Sequence, residues 1–477
     1  MFGTGEELNR NRELQIIMFL FVAAFFAVTA AFCVYVAFNS KKAINSSYNM
    51  RQANLEKRVI RGMILSSKGE ILAEEALNKE NVEVRYYPYK ELFAHAVGFS
   101  THGRSGAEYE ANISLLTSNA PVRERLEKEM SGVRNYGDNV YTTYDLNLQK
   151  TAYDALGVYK GAVIVTEVKT GKILAMVSKP DFDPNTVSEN WAEISADTDN
   201  SPLLNRALQG LYPPGSTFKM VTLLEYIKEY PDKYEDFRFN CNGSFSYGNS
   251  KINCYHNSVH GKLYLRDAFE KSCNSAFADI GTLLNLDSFH ETAEELLFNK
   301  DLPLNVPYKK GSFVLSSASG EEEILQSAIG QGNTLMSPAH INMITCAIAN
   351  GGVLMKPYQI EKVENYRGSL VQSFEPQEYK RLMTERQAGI VKDFMIGVVN
   401  NGTGKKLKGL EYEVAGKTGS AEFGKIKGNS HSWFTGFSDP YDPDIAVTVL
   451  MEGAGSGSDY AVPVAKRIFN AYYGLEQ

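Results

Sequence analysis

Tyr212-Pro213-Pro214-Gly215-Ser216-Thr217-Phe218-Lys219 runs directly into Met220-Val221-Thr222-Leu223-Leu224-Glu225-Tyr226-Ile227. Two prolines cannot sit inside a helix, but they preset its first turn, and the apolar stretch after them contains no breaker; the pattern predicts a helix that begins here. Ser216 then falls at the helix N-terminus, beside unpaired backbone N–H groups and the positive end of the dipole, and Lys219 returns to the same face one turn later. A weak nucleophile stands next to an amine. An amine that is desolvated, or that has a second cation nearby, can lose its charge near neutral pH and accept the serine proton, so that the serine attacks carbonyls without a histidine. S-x-x-K by itself also describes an ordinary capped helix, so the rest of the chain has to decide.

Two further triplets extend the set. Ser272-Cys273-Asn274 follows an apolar-periodic stretch over residues 263–269 and precedes Ala276-Phe277. A serine hydroxyl there can pass the proton from Lys219 to a leaving amine, and the Asn274 amide can hold a substrate carbonyl and Lys219; a plain turn between helices also accounts for the triplet. In Val414-Ala415-Gly416-Lys417-Thr418-Gly419-Ser420-Ala421-Glu422, a glycine on each side of Lys417-Thr418 suggests a strand whose backbone something approaches closely. Lys417 would put a cation near Lys219 and Ser272 and lower the amine's pKa. Thr418 and Ser420, flanking Gly419, offer hydroxyls to a terminal carboxylate, and the backbone N–H groups of Ser216 and Ser420 could form an oxyanion hole. An ordinary surface strand is the alternative. Decoys show how weak each triplet is alone: Lys169-Thr170-Gly171 is a K-T-G in the turn of a predicted hairpin, and Ser47-Tyr48-Asn49 and Ser188-Glu189-Asn190 also match S-x-N.

A chain of 477 residues exceeds one ordinary core and predicts two or three domains, and 43% hydrophobic with 22% charged residues is globular. The 56 acidic and 49 basic residues are dispersed and sum to −7, which gives no support to nucleic-acid binding. Residues 16–38 carry no charge and would span about 34 Å as a helix, against a hydrocarbon core of ~30 Å. An uncleaved membrane anchor is the expectation, with a cleaved signal peptide as the competing reading: the run is long for a signal, and Phe38-Asn39-Ser40 is a poor cleavage site. Arg10 and Arg12 on one side and Lys41 and Lys42 on the other leave the orientation undecided by charge. Cys241 and Cys254 lie in a Gly/Ser/Asn-rich loop that continues to His256 and His260. A disulfide, two free thiols or a C-x12-C-x-H-x3-H zinc site can each be drawn; the missing short C-x2-4-C spacing weighs against zinc, and no metal or other cofactor is expected.

In order and with their flanking residues, the three elements resemble the catalytic boxes of the penicillin-binding proteins, Tyr212 to Lys219 matching the active-serine motif across all eight residues. Arg61-Gly62-Met63-Ile64-Leu65-Ser66-Ser67-Lys68-Gly69 resembles the hairpin that opens the non-catalytic domain of the class B members, with Ser66-Ser67-Lys68-Gly69 where the family has an Asp-Arg-Asn-Gly turn. Gly103-Arg104-Ser105-Gly106-Ala107-Glu108 resembles the G-x-x-G-x-E element of that domain. Thr143-Tyr144-Asp145-Leu146-Asn147-Leu148-Gln149 resembles the lead-in to the transpeptidase domain, and Gly330-Gln331-Gly332 through Ser337-Pro338 a G-Q-G loop to which only a shaping role is assigned.

The resemblance implies an α+β, serine β-lactamase-like fold: an antiparallel sheet flanked by helices, with an elongated N-terminal pedestal and one transmembrane helix. The expected divisions are a short cytoplasmic tail over residues 1–15, the anchor over 16–38, a stalk (to about residue 58) and pedestal over 39–140 and the transpeptidase domain over 141–477. It implies a D,D-transpeptidase that cross-links peptidoglycan stem peptides through Ser216 and is acylated by β-lactams, with Lys219, Ser272, Asn274 and Lys417 catalytic and Thr418, Gly419 and Ser420 binding substrate. The catalytic domain is expected outside the cytoplasm, alongside a separate polytopic membrane glycosyltransferase; the choice among division, elongation and sporulation is left open by the sequence. A membrane-anchored serine β-lactamase needs a dedicated deacylating base, for which the sequence offers no assignment; a non-catalytic scaffold or β-lactam sensor would not need all three boxes intact.

Overall fold

Residues 5–44, 55–423 and 429–475 are described by the computed structural model, which divides into two units, Met1–Arg58 and Val59–Gln477. Gly5–Ile44 is one helix, and within it Arg12–Val36 is long and apolar enough to cross a membrane. Phe19, Phe21, Phe25 and Phe26 are each more than 60% exposed. A helix apolar on every side finds no partner surface within its own unit and is suited to lipid. The stalk expected to follow falls largely outside the described residues.

In the larger unit a five-stranded antiparallel sheet runs in the order Val414–Glu422, Ser430–Ser438, Ile445–Met451, Gly161–Glu167, Ile173–Lys179. Period-two alternation splits its side chains between two cores. From Ile445–Met451, residues Ile445, Val447, Val449 and Met451 join the cluster built with the helices Leu146–Leu156 and Ala461–Tyr472. Ala446 and Leu450 face the other way, into the larger cluster that holds Pro338–Ala349 and the helix Lys219–Glu229. Helices therefore cover both faces, as the resemblance implies. The Lys169-Thr170-Gly171 triplet is the hairpin turn between Gly161–Glu167 and Ile173–Lys179, with Gly171 at φ +82.

Local sequence explains where the covering helices begin. Asp145 caps Leu146–Leu156 by accepting from the Leu148 N–H at 3.0 Å; Ser337 caps Pro338–Ala349, whose proline occupies the first turn. Thr384 and Gln387 form a reciprocal capping box at the start of Glu385–Asn400.

A six-stranded sheet takes strands from widely separated parts of the chain, in the order Leu370–Ser373, Ile360–Glu364, Asn139–Thr142, Ile64–Leu65, Ile71–Leu77, Glu83–Tyr86. Ile64–Leu65 and Ile71–Leu77 are the predicted hairpin. Beside it the two pedestal motifs meet. Arg61 donates to Glu108 at 2.8 Å through Nε, Arg85 donates to the other carboxylate oxygen at 2.6 Å, and Glu108 is fully buried. Burial alone would raise the Glu108 pKa; the two guanidinium groups outweigh it and hold the carboxyl below its ordinary value.

Candidate active site

Gly215–Phe218 is a 3-10 turn, and the α-helix starts at Lys219. The tighter turn eclipses positions i and i+3, which stacks Lys219 over Ser216 more closely than the expected α-helical start would. Several contacts fix this turn. The Gly215 N–H donates to the Gly330 carbonyl at 2.8 Å, Thr217 Oγ1 donates to the Pro214 carbonyl at 2.8 Å, and the Trp433 indole donates to the Pro213 carbonyl at 3.1 Å. A Cβ on Gly330 would stand 2.3 Å from the Gly215 carbonyl oxygen, so this glycine permits the approach of the G-Q-G loop to the serine turn. Ser216 itself is partly exposed, and its hydroxyl has no hydrogen-bond partner among the described residues.

The S-x-N triplet is the turn between the helices Leu265–Glu270 and Asn274–Leu283. Ser272 is held at φ +54, a left-handed conformation that costs a non-glycine residue about 1–3 kcal/mol and is kept where surroundings enforce it. That backbone turns both its carbonyl and its hydroxyl toward Lys219: Nζ donates to Ser272 O at 2.7 Å, to Asn274 Oδ1 at 2.8 Å and, more weakly, to Ser272 Oγ at 3.3 Å. From the strand Val414–Glu422, Lys417 Nζ donates to the same Ser272 Oγ at 2.9 Å and to the Thr418 carbonyl at 3.1 Å. One hydroxyl thus bridges two amines.

Both lysines are fully buried, and among the described residues no ion pair reaches either of them. Desolvation pushes Lys219 down to about 8. Desolvation, reinforced by repulsion from Lys219, takes Lys417 well below the ordinary lysine value. Phe277 and Phe269 lie under the two ammonium positions, each ring centroid 5.4 Å from Nζ, and give weak compensation.

The remaining expected residues divide. Ser420 is partly exposed, lines an open cleft of about 860 Å³ together with Asn274, Pro213 and Glu422, and accepts a hydrogen bond from the Gly457 N–H at 3.2 Å. Thr418 is only 5% exposed and its hydroxyl pairs with Thr403, so it is tied to the turn at Asn401-Gly402-Thr403-Gly404. Gly419 serves close packing: a Cβ there would meet the Pro214 carbonyl, Thr217 and Trp433, each at 3.1 Å, clamping the strand against the serine turn. Asn253 went unmarked in the sequence, yet its carbonyl accepts from Asn274 Nδ2 at 3.2 Å and orients that amide. No local pattern flags it, because it acts through its backbone.

The cysteine expectations change. Cys241 and Cys254 are free thiols with sulfurs 3.6 Å apart, and the group around them takes in His260 and Cys273, not His256. Cys273 is the middle residue of the S-x-N triplet. It stands among four side chains able to hold a metal, where no metal was expected.

Comparison with known proteins places this geometry. The peptidoglycan D,D-transpeptidase PbpA of Mycolicibacterium smegmatis is 29% identical over 413 residues, 80% of this chain and 83% of that protein. The D,D-transpeptidase domain of a peptidoglycan glycosyltransferase from Eggerthella lenta superposes with a TM-score of 0.78 at 29% identity, over 87% of this chain and 99% of that one. Penicillin-binding protein A from M. tuberculosis, solved as its imipenem acyl-enzyme complex, gives a TM-score of 0.78 at 27% identity, over 88% and 99%. The sequence pattern of the penicillin binding protein transpeptidase domain extends over residues 161–473, taking in the serine turn, the S-x-N turn and the lysine strand, and with well over half of the chain so matched the protein belongs to the penicillin-binding protein transpeptidase family.

Proposed function

We propose that this chain is a peptidoglycan D,D-transpeptidase of the class B penicillin-binding type that works through an acyl-enzyme on Ser216. The observation that carries the reading is the Ser272 hydroxyl set between two buried amines, 2.9 Å from Lys417 Nζ and 3.3 Å from Lys219 Nζ. Lys219, neutral in a good fraction of molecules near pH 8, takes the proton of Ser216 as Oγ attacks the carbonyl of the penultimate D-Ala. The charge that develops on the carbonyl oxygen is met by the backbone N–H groups of Ser216 and Ser420. As the C–N bond breaks, the proton passes from Lys219 through Ser272 to the departing D-Ala amine, with Lys417 holding the relay hydroxyl. Asn274 and Ser420 hold the peptide, and the terminal carboxylate lies toward Lys417, Thr418 and Ser420. An amine from a neighbouring stem peptide then attacks the ester, its proton travels back by the same route, and Ser216 is regenerated. With a β-lactam the same attack opens the ring, but the amine stays attached and the ester persists.

The apolar helix would anchor the chain with its N-terminus in the cytoplasm and the cleft outside, and a separate polytopic glycosyltransferase would supply the glycan strand. Protease accessibility of the cleft domain in intact cells tests that topology; protection of the domain would reverse it. For the chemistry, Ser216→Ala is expected to abolish covalent labelling by a fluorescent penicillin, and labelling that persisted would sink the assignment. Nitrocefin should give a burst of about one equivalent and then slow release; sustained fast hydrolysis would place the enzyme with the β-lactamases.

A further inference from the structure

Cys241, Cys254, Cys273 and His260 come from three separate segments: the end of the strand Arg238–Cys241, the loop from Cys254 to His260, and the turn that carries Ser272 and Asn274. Their ligand atoms all lie within 4.8 Å of one another. The Cys241–Cys254 and Cys254–Cys273 sulfur pairs are each 3.6 Å apart, and Cys241 Sγ is 3.4 Å from His260 Nδ1. A disulfide would hold its sulfurs at about 2 Å. Tetrahedral zinc, with Zn–S about 2.3 Å and Zn–N about 2.0–2.1 Å, requires S···S edges of about 3.8 Å and S···N edges of about 3.5 Å. The observed spacings match those edges within a few tenths of an ångström.

The surroundings suit thiolates as well. Each sulfur has a polar neighbour of its own: the Gly243 N–H donates to Cys241 Sγ at 3.4 Å, the Ala276 N–H donates to Cys273 Sγ at 3.4 Å, and the Ser275 hydroxyl lies 3.1 Å from Cys254 Sγ. Backbone donors aimed at sulfur hold negative charge on a metal-bound thiolate, and Cys273 stands at the N-cap of Asn274–Leu283, where the helix dipole also favours an anion. The three cysteines are buried and His260 is partly exposed, which closes the site while leaving a way in. Three sulfurs and one imidazole form a soft, closed donor set, the kind that selects zinc in a structural role over magnesium, calcium or manganese.

We propose that these four side chains form a structural Zn2+ site whose purpose is to pin the S-x-N turn to the loop that walls the cleft. Binding exchanges the three thiol protons for the metal, releases them to solvent, and leaves a Cys3His centre of net charge −1; no oxidant or reductant takes part. Cys273 is then a positioning residue. It lies between Ser272, which bridges the two amines, and Asn274, which holds Lys219, so zinc fixes the strained backbone of the turn. Cys254 follows Asn253, whose carbonyl orients the Asn274 amide, and the metal ties both ends of that contact together. The link to acylation rests on the reading of the site given above, whereas metal content does not.

The test uses the full chain purified in detergent under reducing conditions. Elemental analysis is expected to find about one zinc per chain, and Co2+ exchanged into the site should give the thiolate charge-transfer and d–d bands of tetrahedral coordination. His260→Ala and Cys241→Ser, both outside the catalytic turn, should lose most of the zinc. Stripping the wild-type chain with a strong chelator should lower its melting temperature and slow acylation by a fluorescent penicillin by roughly tenfold or more, and added Zn2+ should restore both. Absence of zinc, zinc undiminished in both variants, iron in its place, or a Cys241–Cys254 disulfide found by non-reducing mass spectrometry would each overturn the site. Full zinc occupancy with acylation unmoved by its removal would overturn the positioning role alone.

Discussion

Two buried clusters of basic side chains in this protein are built on opposite principles. Beside the six-stranded sheet, Arg61 and Arg85 share the carboxylate of Glu108, with Asn112 and the Gly62 carbonyl accepting further guanidinium hydrogen bonds at 2.8 Å. At the S-x-N turn, buried Lys219 and Lys417 share a serine hydroxyl, and among the described residues no carboxylate forms an ion pair with either. The first arrangement cancels charge and cross-links two distant motifs. The second gives the amines no carboxylate, and burial drives both toward neutrality. A buried pair is structural when its counter-ion is inside with it, and reactive when the counter-ion has been left out.

Replacing one member on each side would sharpen that contrast. Lys219→Met is expected to slow acylation of Ser216 by roughly 10²–10⁴-fold, the usual share of a positioned general base, while thermal stability is kept or raised, because a buried amine without a counter-ion has gone. Loss of stability comparable to loss of rate would break the distinction. Glu108→Ala should do the reverse. Arg61 would be left buried without an ion pair and Arg85 with only Glu75 at 3.8 Å, at a cost of about 3–5 kcal/mol in urea unfolding, while the molecules that remain folded acylate at the normal rate. A rate loss in that folded fraction would mean that the pedestal tunes the cleft.

Smallest and most diagnostic is pH. With Lys219 pushed down to about 8 by burial, the neutral fraction grows about tenfold per pH unit below that value, so acylation should rise up to about pH 8 and then level off. Stability should rise with pH in both clusters, but in separate windows. The unfolded chain binds a proton on lysine that the folded chain has released, so the Lys219 contribution rises with pH between about 8 and the ordinary lysine value of 10.5. Glu108 has a lowered pKa; its contribution is complete above the ordinary carboxylate value of 4.5 and is lost as pH falls through the folded value. Urea titrations of wild type and Glu108→Ala at pH 3–6 isolate the second effect.

Much of this was legible in the sequence because it is local. The double proline and the unbroken apolar run after it predict a helix at Ser216, turn residues predict the hairpin at Lys169-Thr170-Gly171, and the order of the three boxes points to the site. What escaped was tertiary. Ser272 shows no sequence sign of its left-handed backbone, Asn253 contributes only a carbonyl, and the Thr418 hydroxyl pairs with Thr403 from a distant turn. The drawn C-x12-C-x-H-x3-H pattern holds Cys241, Cys254 and His260 but takes His256 as its fourth member, whereas the fold brings in Cys273 from 12 intervening residues beyond His260. Chain distance hid what folding brought together.

The six-stranded sheet has a bearing on biogenesis. Asn139–Thr142 receives its partner on one side only from Ile360–Glu364, so the early region carries an open edge until residues 143–359 have been made. A chain cut short before that late strand arrives would present the bare edge to its neighbours as a template for pairing, which the finished chain covers.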